Sequence, residues 1–122
     1  MRLVLDSDPR INLIRGYDAG GILVGAQRLT RPCLITPQRL LSDWSARSLA
    51  LLRGEELEPL WALGGQIVLL GSAETPVLPS AAVRAAFRER RIALECMSLG
   101  AACRTYNILA GEDRSVVAGL FP

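Results

Sequence analysis

The residues best suited to chemistry lie in one short stretch, SLGAACRTYNILAGED, at positions 98–113. On a helix that turns by about 100° per residue, this stretch has two flanks. One flank carries Gly100, Cys103, Arg104 and Asn107, and the other carries Ala101, Ala102, Thr105, Ile108 and Leu109, with Tyr106 at the boundary. The planar guanidinium of Arg104 and the amide of Asn107 are suited to bind an acidic group or the backbone of a partner. The alternative is a solvated helix face, on which Arg104 interacts with the carboxyl-terminal half of the helix.

Two titratable side chains belong to the same region. Cys103 lies in the middle of the predicted helix without a histidine base, so we expect a structural thiol. Glu95 ends an apolar strand, where desolvation would raise its pKa unless an arginine such as Arg104 pairs with it. A structural ion pair is favoured over a general base at this position.

The composition excludes several kinds of site. All 14 basic residues are arginines, and the chain has no lysine and no histidine. A Ser-His-Asp triad, an imidazole metal ligand, a Schiff base and a P-loop lysine are therefore excluded. Three cysteines at spacings that match no zinc module predict neither a metal nor a cofactor. A net charge of +2 and 5% aromatic residues do not favour nucleic acid as a partner, since RERR at 88–91 is the only dense basic run.

Length and hydropathy predict a packed globular protein. Half of the 122 residues are hydrophobic and 21% are charged, so we expect one domain over residues 1–122. The segment MRLVLDSDPR lacks the apolar core of a signal peptide, and the longest uncharged run, PLWALGGQIVLLGSA, is too short to span a bilayer. We therefore expect a cytoplasmic protein with no integral membrane segment. The sequence does not indicate an oligomeric state.

The order of elements predicts the α/β class. INLIRGYDAGGILVG reads as an N-terminal β-hairpin, and RPCLITPQRLLSDW as two extended pieces separated by Pro37. The helix GEELEPLWAL, the buried strand QIVLL and a helix capped by Ser80 follow. A second buried strand, IALEC, a helix that begins at Ser98 and a last strand, SVVAGLF, complete the chain.

One edge of the predicted sheet is the expected site. QIVLL and IALEC are joined by a helix, so a right-handed crossover makes them parallel and brings their carboxyl ends to one edge, where ligands of open α/β sheets bind. The helix that begins at Ser98 should direct its free N–H groups there. The candidate binding residues are Gly71, Ser72, Glu95, Arg104, Tyr106 and Asn107.

Two stretches, GSAETPVLPS and ALECMSLGAACRTYNILAGEDRSVVAGL, carry a family resemblance. They are similar to the small domain family that includes the mitochondrial NADH:ubiquinone oxidoreductase complex assembly factor 3 and many bacterial and archaeal proteins of unknown function. In that family a strand ends in a Gly-Thr-Gly-like turn, a proline introduces the next helix, a strand ends in Glu, and a helix carries Ala-Cys-x-Thr-Tyr-Asn. The matching positions here are Gly71, Pro79, Glu95 and 102–107, and Ser72-Ala73 replaces the Thr-Gly. The first half agrees through Gly25, Pro32, Trp44 and Leu57.

The resemblance implies both a fold and a role. The fold is a three-layer α/β domain with a central mixed sheet, in which the last strand runs antiparallel to its neighbours. The role is a non-catalytic protein-interaction or assembly-helper domain, with a respiratory complex subunit or an assembly protein as partner. The alternative is a small-molecule site for an anionic metabolite, with or without catalysis, at the ends of the parallel strands. We favour the non-catalytic domain, because the resemblance implies no established enzymatic activity and the mitochondrial relatives act as assembly helpers through protein contacts.

Overall fold

Eleven helices and strands follow one another in residues 10–74 and 78–122, the part of the chain that the computed structural model describes. The first five are the strands β1 (Ile14–Asp18), β2 (Gly21–Val24), β3 (Gln27–Leu29), β4 (Cys33–Ile35) and β5 (Leu40–Leu41). The others are α1 (Gly54–Leu63), β6 (Ile67–Ser72), α2 (Ala81–Glu89), β7 (Ala93–Ser98), α3 (Leu99–Gly111) and β8 (Val116–Phe121). Residues 1–9 and 75–77, which include part of the family-like stretch GSAETPVLPS, lie outside the described residues.

The N-terminal hairpin is confirmed, and a third strand extends it. β1 pairs antiparallel with β2 across the turn from Asp18 to Gly21. Gly21 has φ of 124°, and a Cβ there would lie 2.2 Å from the carbonyl oxygen of Leu29, so this turn requires glycine. β3 completes an antiparallel sheet in the order β1-β2-β3. β3 was not predicted, because this three-residue strand carries two exposed polar residues and offers no alternating pattern.

The larger sheet has five strands in the order β5-β4-β8-β6-β7. β6 is parallel to both of its neighbours, β7 and β8, while β4 is antiparallel to β5 and β8. The mixed sheet and the parallel pair β6–β7 are thus confirmed. The expectation that the last strand is antiparallel to its neighbours is correct for β4 and wrong for β6. The helix α3 carries the chain back across the sheet after β7, so β8 begins at the same end as β6 and runs in its direction.

Two apolar clusters lie on the two faces of this sheet, which gives the three predicted layers. On one face α3 and the small sheet pack together around residues such as Ile14, Leu69 and Tyr106. On the other face α1 and α2 pack around Trp44 and Phe87. β8 is buried along its whole length and β6 along nearly all of it, as expected for strands that are covered on both sides.

The ends of the first two helices agree with the sequence analysis. α1 ends at Gly64, which takes φ of 72°. The hydroxyl of Ser80 accepts a hydrogen bond of 3.2 Å from the N–H of Val83 at the start of α2. In the described part of the chain, no helix is long and apolar enough to cross a membrane.

Candidate functional site

The predicted edge of the sheet exists. β6 and β7 are parallel and in register, so that Gly71 is paired with Met97 and Ser72 with Ser98. α3 begins at this edge, where the hydroxyl of Ser98 accepts a hydrogen bond of 3.3 Å from the N–H of Ala101. The crossover prediction therefore located the carboxyl ends of both strands correctly.

Gly71 and Ser72 are buried under neighbouring groups. A Cβ on Gly71 would lie 2.4 Å from the Cβ of Ala102 and 3.4 Å from the Cα of Leu99, so α3 rests directly on this glycine. The side chain of Ser72 accepts a hydrogen bond of 3.1 Å from the N–H of Glu74, and the residue is 5% exposed. Gly71 thus lets the start of α3 lie against the sheet, while Ser72 binds the backbone just after β6.

The predicted faces of α3 are wrong. The buried face consists of Leu99, Ala102, Cys103, Tyr106, Asn107 and Ala110. Ile108, which was predicted to share a flank with Ala102, is 61% exposed. The apolar pattern misassigned the faces because two polar side chains, Tyr106 and Asn107, are buried. Both find hydrogen-bond partners inside the protein, so their burial leaves no polar group unpaired.

Asn107 is bound to the backbone of β1. Its Oδ1 accepts a hydrogen bond of 2.8 Å from the N–H of Ile14, and its Nδ2 donates one of 2.7 Å to the carbonyl of Ile14. The amide thereby pairs with both backbone groups of one strand residue, as a neighbouring strand would. Asn107 is 6% exposed, so its amide is fully engaged here and does not reach a partner.

Tyr106 and Arg104 extend the same contact. The hydroxyl of Tyr106 donates a hydrogen bond of 2.7 Å to the carbonyl of Asn12, and burial raises the pKa of this phenol. Arg104 donates to the hydroxyl of Tyr17, which packs against Gly100. We call the side chains of Arg104, Tyr106 and Asn107, together with Asn12, Ile14 and Tyr17, the β1 clamp.

Arg104 does not face the edge of the sheet. Ala102 lies against Gly71, and Arg104 follows two residues later, about 200° further around the helix. Its exposed guanidinium therefore points away from β6, and it lies over Tyr17. The six predicted binding residues are accordingly not brought together into one surface.

Glu95 lies on the outermost strand of the sheet. β7 has β6 as its neighbour on one side, and each of its residues is exposed or half-buried. The prediction of a strand covered on both sides is wrong for β7, and Glu95 is exposed. The apolar residues of IALEC gave no sign of the edge, because the position of a strand in its sheet depends on the topology and not on its own composition.

The thiols are not activated. Burial raises the pKa of Cys33 to about 12, with a further contribution from nearby Cys103. Burial also raises the pKa of Cys103 to about 12, although Arg104 opposes the shift. Cys96 is half-buried, and its pKa is raised, chiefly by burial. The charge of Glu95 raises it further, and that of Arg84 opposes the shift. These directions agree with the expected structural role of Cys103, because a nucleophilic cysteine needs a lowered pKa.

Across residues 10–74 and 78–122, no three acidic or cysteine side chains lie close enough together to hold a metal ion.

The β1 clamp was not predicted from the sequence. The signal was present in the adjacent residues Tyr106 and Asn107, whose phenol and amide suit the capture of backbone groups. Their targets, Asn12 and Ile14, lie more than 90 residues away in the chain, so no local pattern connects them.

The fold and the clamp define a class of protein, a small mixed α/β domain whose last helix closes the edge of an N-terminal hairpin sheet. Residues 14–121 match the family described as "Protein of unknown function (DUF498/DUF598)". The chain belongs to this family.

Three relatives connect the family to named or solved proteins. The chain is 30% identical to the bovine (Bos taurus) NADH dehydrogenase (ubiquinone) 1 alpha subcomplex assembly factor 3 over 98% of its own length and 66% of the relative's. It therefore spans slightly less than two thirds of that protein. An NMR structure from Xanthomonas campestris has a TM-score of 0.83 at 32% identity, covering 98% of this chain and 92% of the other. A crystal structure from Bordetella parapertussis has a TM-score of 0.85 at 26% identity, covering 95% of this chain and 99% of the other.

Proposed function

We propose that the chain is a non-catalytic protein-binding domain that assists the assembly of a respiratory NADH dehydrogenase complex. The observation that carries the proposal is the 30% identity, over 98% of the chain, with a relative named as an assembly factor of such a complex. The partner is a subunit of the complex or a second assembly protein. The whole of residues 1–122 acts as one domain in this proposal.

The geometry supports binding over catalysis. Three of the side chains that suggested chemistry, Cys103, Tyr106 and Asn107, are buried and serve the packing of α3. The raised pKa values of Cys33 and Cys103 keep both thiols protonated at neutral pH. A metabolite site at the edge of the sheet would need Arg104 and Asn107 there, and they instead contact Tyr17 and Ile14. No observation favours that alternative over the assembly role.

Deletion of the gene in the organism that carries it tests the proposal. We expect native gels of the membranes to lose mature NADH dehydrogenase complex and to gain a smaller subassembly. Expression of the intact chain should restore the mature complex. Crosslinking of the tagged chain, followed by mass spectrometry, should recover subunits of that subassembly. Normal assembly of the complex in the deletion strain would refute the assembly role.

A further inference from the structure

The outer edge of β7 is the longest strand edge that the described part of the five-stranded sheet leaves unpaired. β7 has six residues, whereas β5, at the opposite edge, has two. A long strand at an edge presents a row of backbone groups that can pair with another chain. β7 is thus the element on which an added strand finds the most backbone partners.

The outward backbone groups of β7 can be identified. The N–H of Ala93 donates a hydrogen bond of 3.1 Å to the carbonyl of Gln66, directly before β6, so Ala93 directs its backbone towards β6. Successive residues of a strand direct their N–H and C=O groups to opposite sides. Glu95 and Met97 therefore also bond to β6, while Leu94 and Cys96 direct their N–H and C=O groups outward.

A basic stripe on α2 accompanies this edge. Arg84 and Arg88 are exposed and one helical turn apart, on the flank next to the buried Val83 and Phe87. Leu94 and Cys96 pack against the apolar cluster that contains Val83 and Phe87, so α2 covers the face of β7 that carries these two side chains. Arg84 also lowers the pKa of Cys96. Among residues 10–74 and 78–122, neither guanidinium forms a salt bridge with a carboxylate. The edge therefore combines free backbone groups with two positive charges that lack a counter-ion within the described chain.

We propose that β7 and the stripe of Arg84 and Arg88 bind an extended, acidic segment of a protein partner, which adds a strand to the sheet. Backbone hydrogen bonds to Leu94 and Cys96 provide affinity. Because side chains of a strand alternate between faces, every second side chain of the segment lies on the face of α2, and acidic residues there meet the two arginines. On the opposite face the segment meets Glu95, which favours neutral or basic residues.

A second copy of this chain suits the edge less well. If two copies paired β7 with β7 in antiparallel fashion around a twofold axis perpendicular to the sheet, the two α2 helices would lie side by side. Arg84 and Arg88 of both copies would then repel each other without an acidic group of α2 between them on that flank. Charge complementarity thus favours an acidic partner over self-association.

A pair of synthetic peptides tests the proposal on the full 122-residue chain. The acidic probe is a capped decapeptide of alternating threonine and glutamate, and the matched basic probe carries lysine in place of glutamate. We expect the acidic probe to shift the amide resonances of residues 92–98 and of α2 in two-dimensional NMR spectra. The basic probe should bind at least tenfold more weakly, and 0.5 M salt should weaken the acidic probe several-fold.

Two kinds of variant separate the backbone contribution from the charge contribution. The double variant Arg84→Glu/Arg88→Glu should weaken the acidic probe at least tenfold. Its control is Arg39→Glu/Arg47→Glu, which has the same net charge but places the changes far along the chain from β7, with Arg39 next to β5, and should change affinity less than twofold. Cys96→Pro removes an outward N–H and should also weaken binding about tenfold, whereas Cys96→Ala keeps this donor and should bind as the unchanged chain does.

Several outcomes would overturn the inference. These are an acidic probe that gives no shifts at millimolar concentration, shifts confined to other surfaces, equal binding of the basic probe, tighter binding of a single-stranded oligonucleotide than of the acidic probe, or dimerisation of the chain through β7. The inference rests on the proposed function, but the two fail separately. If Arg84→Glu/Arg88→Glu still restores the respiratory complex in the deletion strain, the surface is wrong and the assembly role stands.

Discussion

The outer edge of β1 is covered, whereas the outer edge of β7 has no neighbouring strand. β1 has its free edge covered by α3, where the amide of Asn107 pairs with both backbone groups of Ile14. β7 has no strand on its outer side, and its flank carries the arginines of α2. Proteins normally cover or charge the edges of their sheets, since an open edge pairs with other chains. A polar motif on a helix can therefore close the edge of a sheet, while a plain apolar strand can be the accessible one.

The largest expected effect breaks the closed edge. Asn107→Ala leaves the N–H and C=O of Ile14 buried and unpaired, and should lower the free energy of unfolding by about 3 kcal/mol. Urea unfolding measures this loss. The matched control on the same helix is Arg104→Ala, which removes an exposed contact and should cost less than about 1 kcal/mol. Equal losses in the two variants would contradict the distinction between the buried and exposed parts of the β1 clamp.

The next effect tests the contact that holds α3 on the sheet. Gly71→Ala brings a Cβ to 2.4 Å from that of Ala102, so the helix must shift, at a cost of about 2 kcal/mol in stability. Gly111→Ala is the control at the other end of α3, because a Cβ there meets no atom within 4 Å. We expect this control to be neutral or slightly stabilising, as alanine favours helix. A tolerated Gly71→Ala would show that the start of α3 can move without loss.

Alkaline pH should destabilise the fold through the two buried thiols, Cys33 and Cys103. The pKa values of Cys33 and Cys103 are about 12 in the folded chain, whereas the unfolded chain ionises its thiols near pH 9. The contribution of the two protonated thiols to the free energy of unfolding is therefore complete below pH 9. It falls as pH rises towards 12, by up to about 1.4 kcal/mol per pH unit for each thiol. Urea unfolding at several pH values up to about 10 measures the slope, because the chain has no lysine and the buried phenol of Tyr106 adds to the slope only at higher pH.

Variants show how much of this slope comes from the buried Cys103 and how much from Cys96 on β7. Cys103→Ala should remove a large part of it, and Cys96→Ala, on the half-buried edge strand, a smaller part. A slope that depends chiefly on Cys96 would contradict the assignment.

The smallest effect sharpens the description of the open edge. Cys96→Pro removes an N–H that points away from β6, so it should lower the free energy of unfolding by less than about 1 kcal/mol relative to Cys96→Ala. Thermal unfolding of the two variants measures the difference. A loss as large as that of Asn107→Ala would mean that the N–H of Cys96 is already paired within the fold.

Much of the fold was predictable because its signals are local. The hairpin turn at Asp18–Gly21, the helix cap at Ser80 and the helix end at Gly64 each depend on residues within a few positions. The parallel pairing of β6 and β7 followed from the helix between them. The candidate site was predictable only as far as the edge of the sheet, because its side chains were assigned from the pattern of one helix.

By itself, the sequence determined the order of the elements other than β3, the α/β class and the absence of histidine and lysine chemistry. The tertiary structure decided that Arg104 and Asn107 bind β1 and that Tyr106 binds Asn12 just before it. It also decided that β7 lies at an edge of the sheet. The physical reason is distance along the chain. A turn or a cap is stabilised by its neighbours, but a polar side chain can be buried only when a distant backbone supplies its hydrogen bonds.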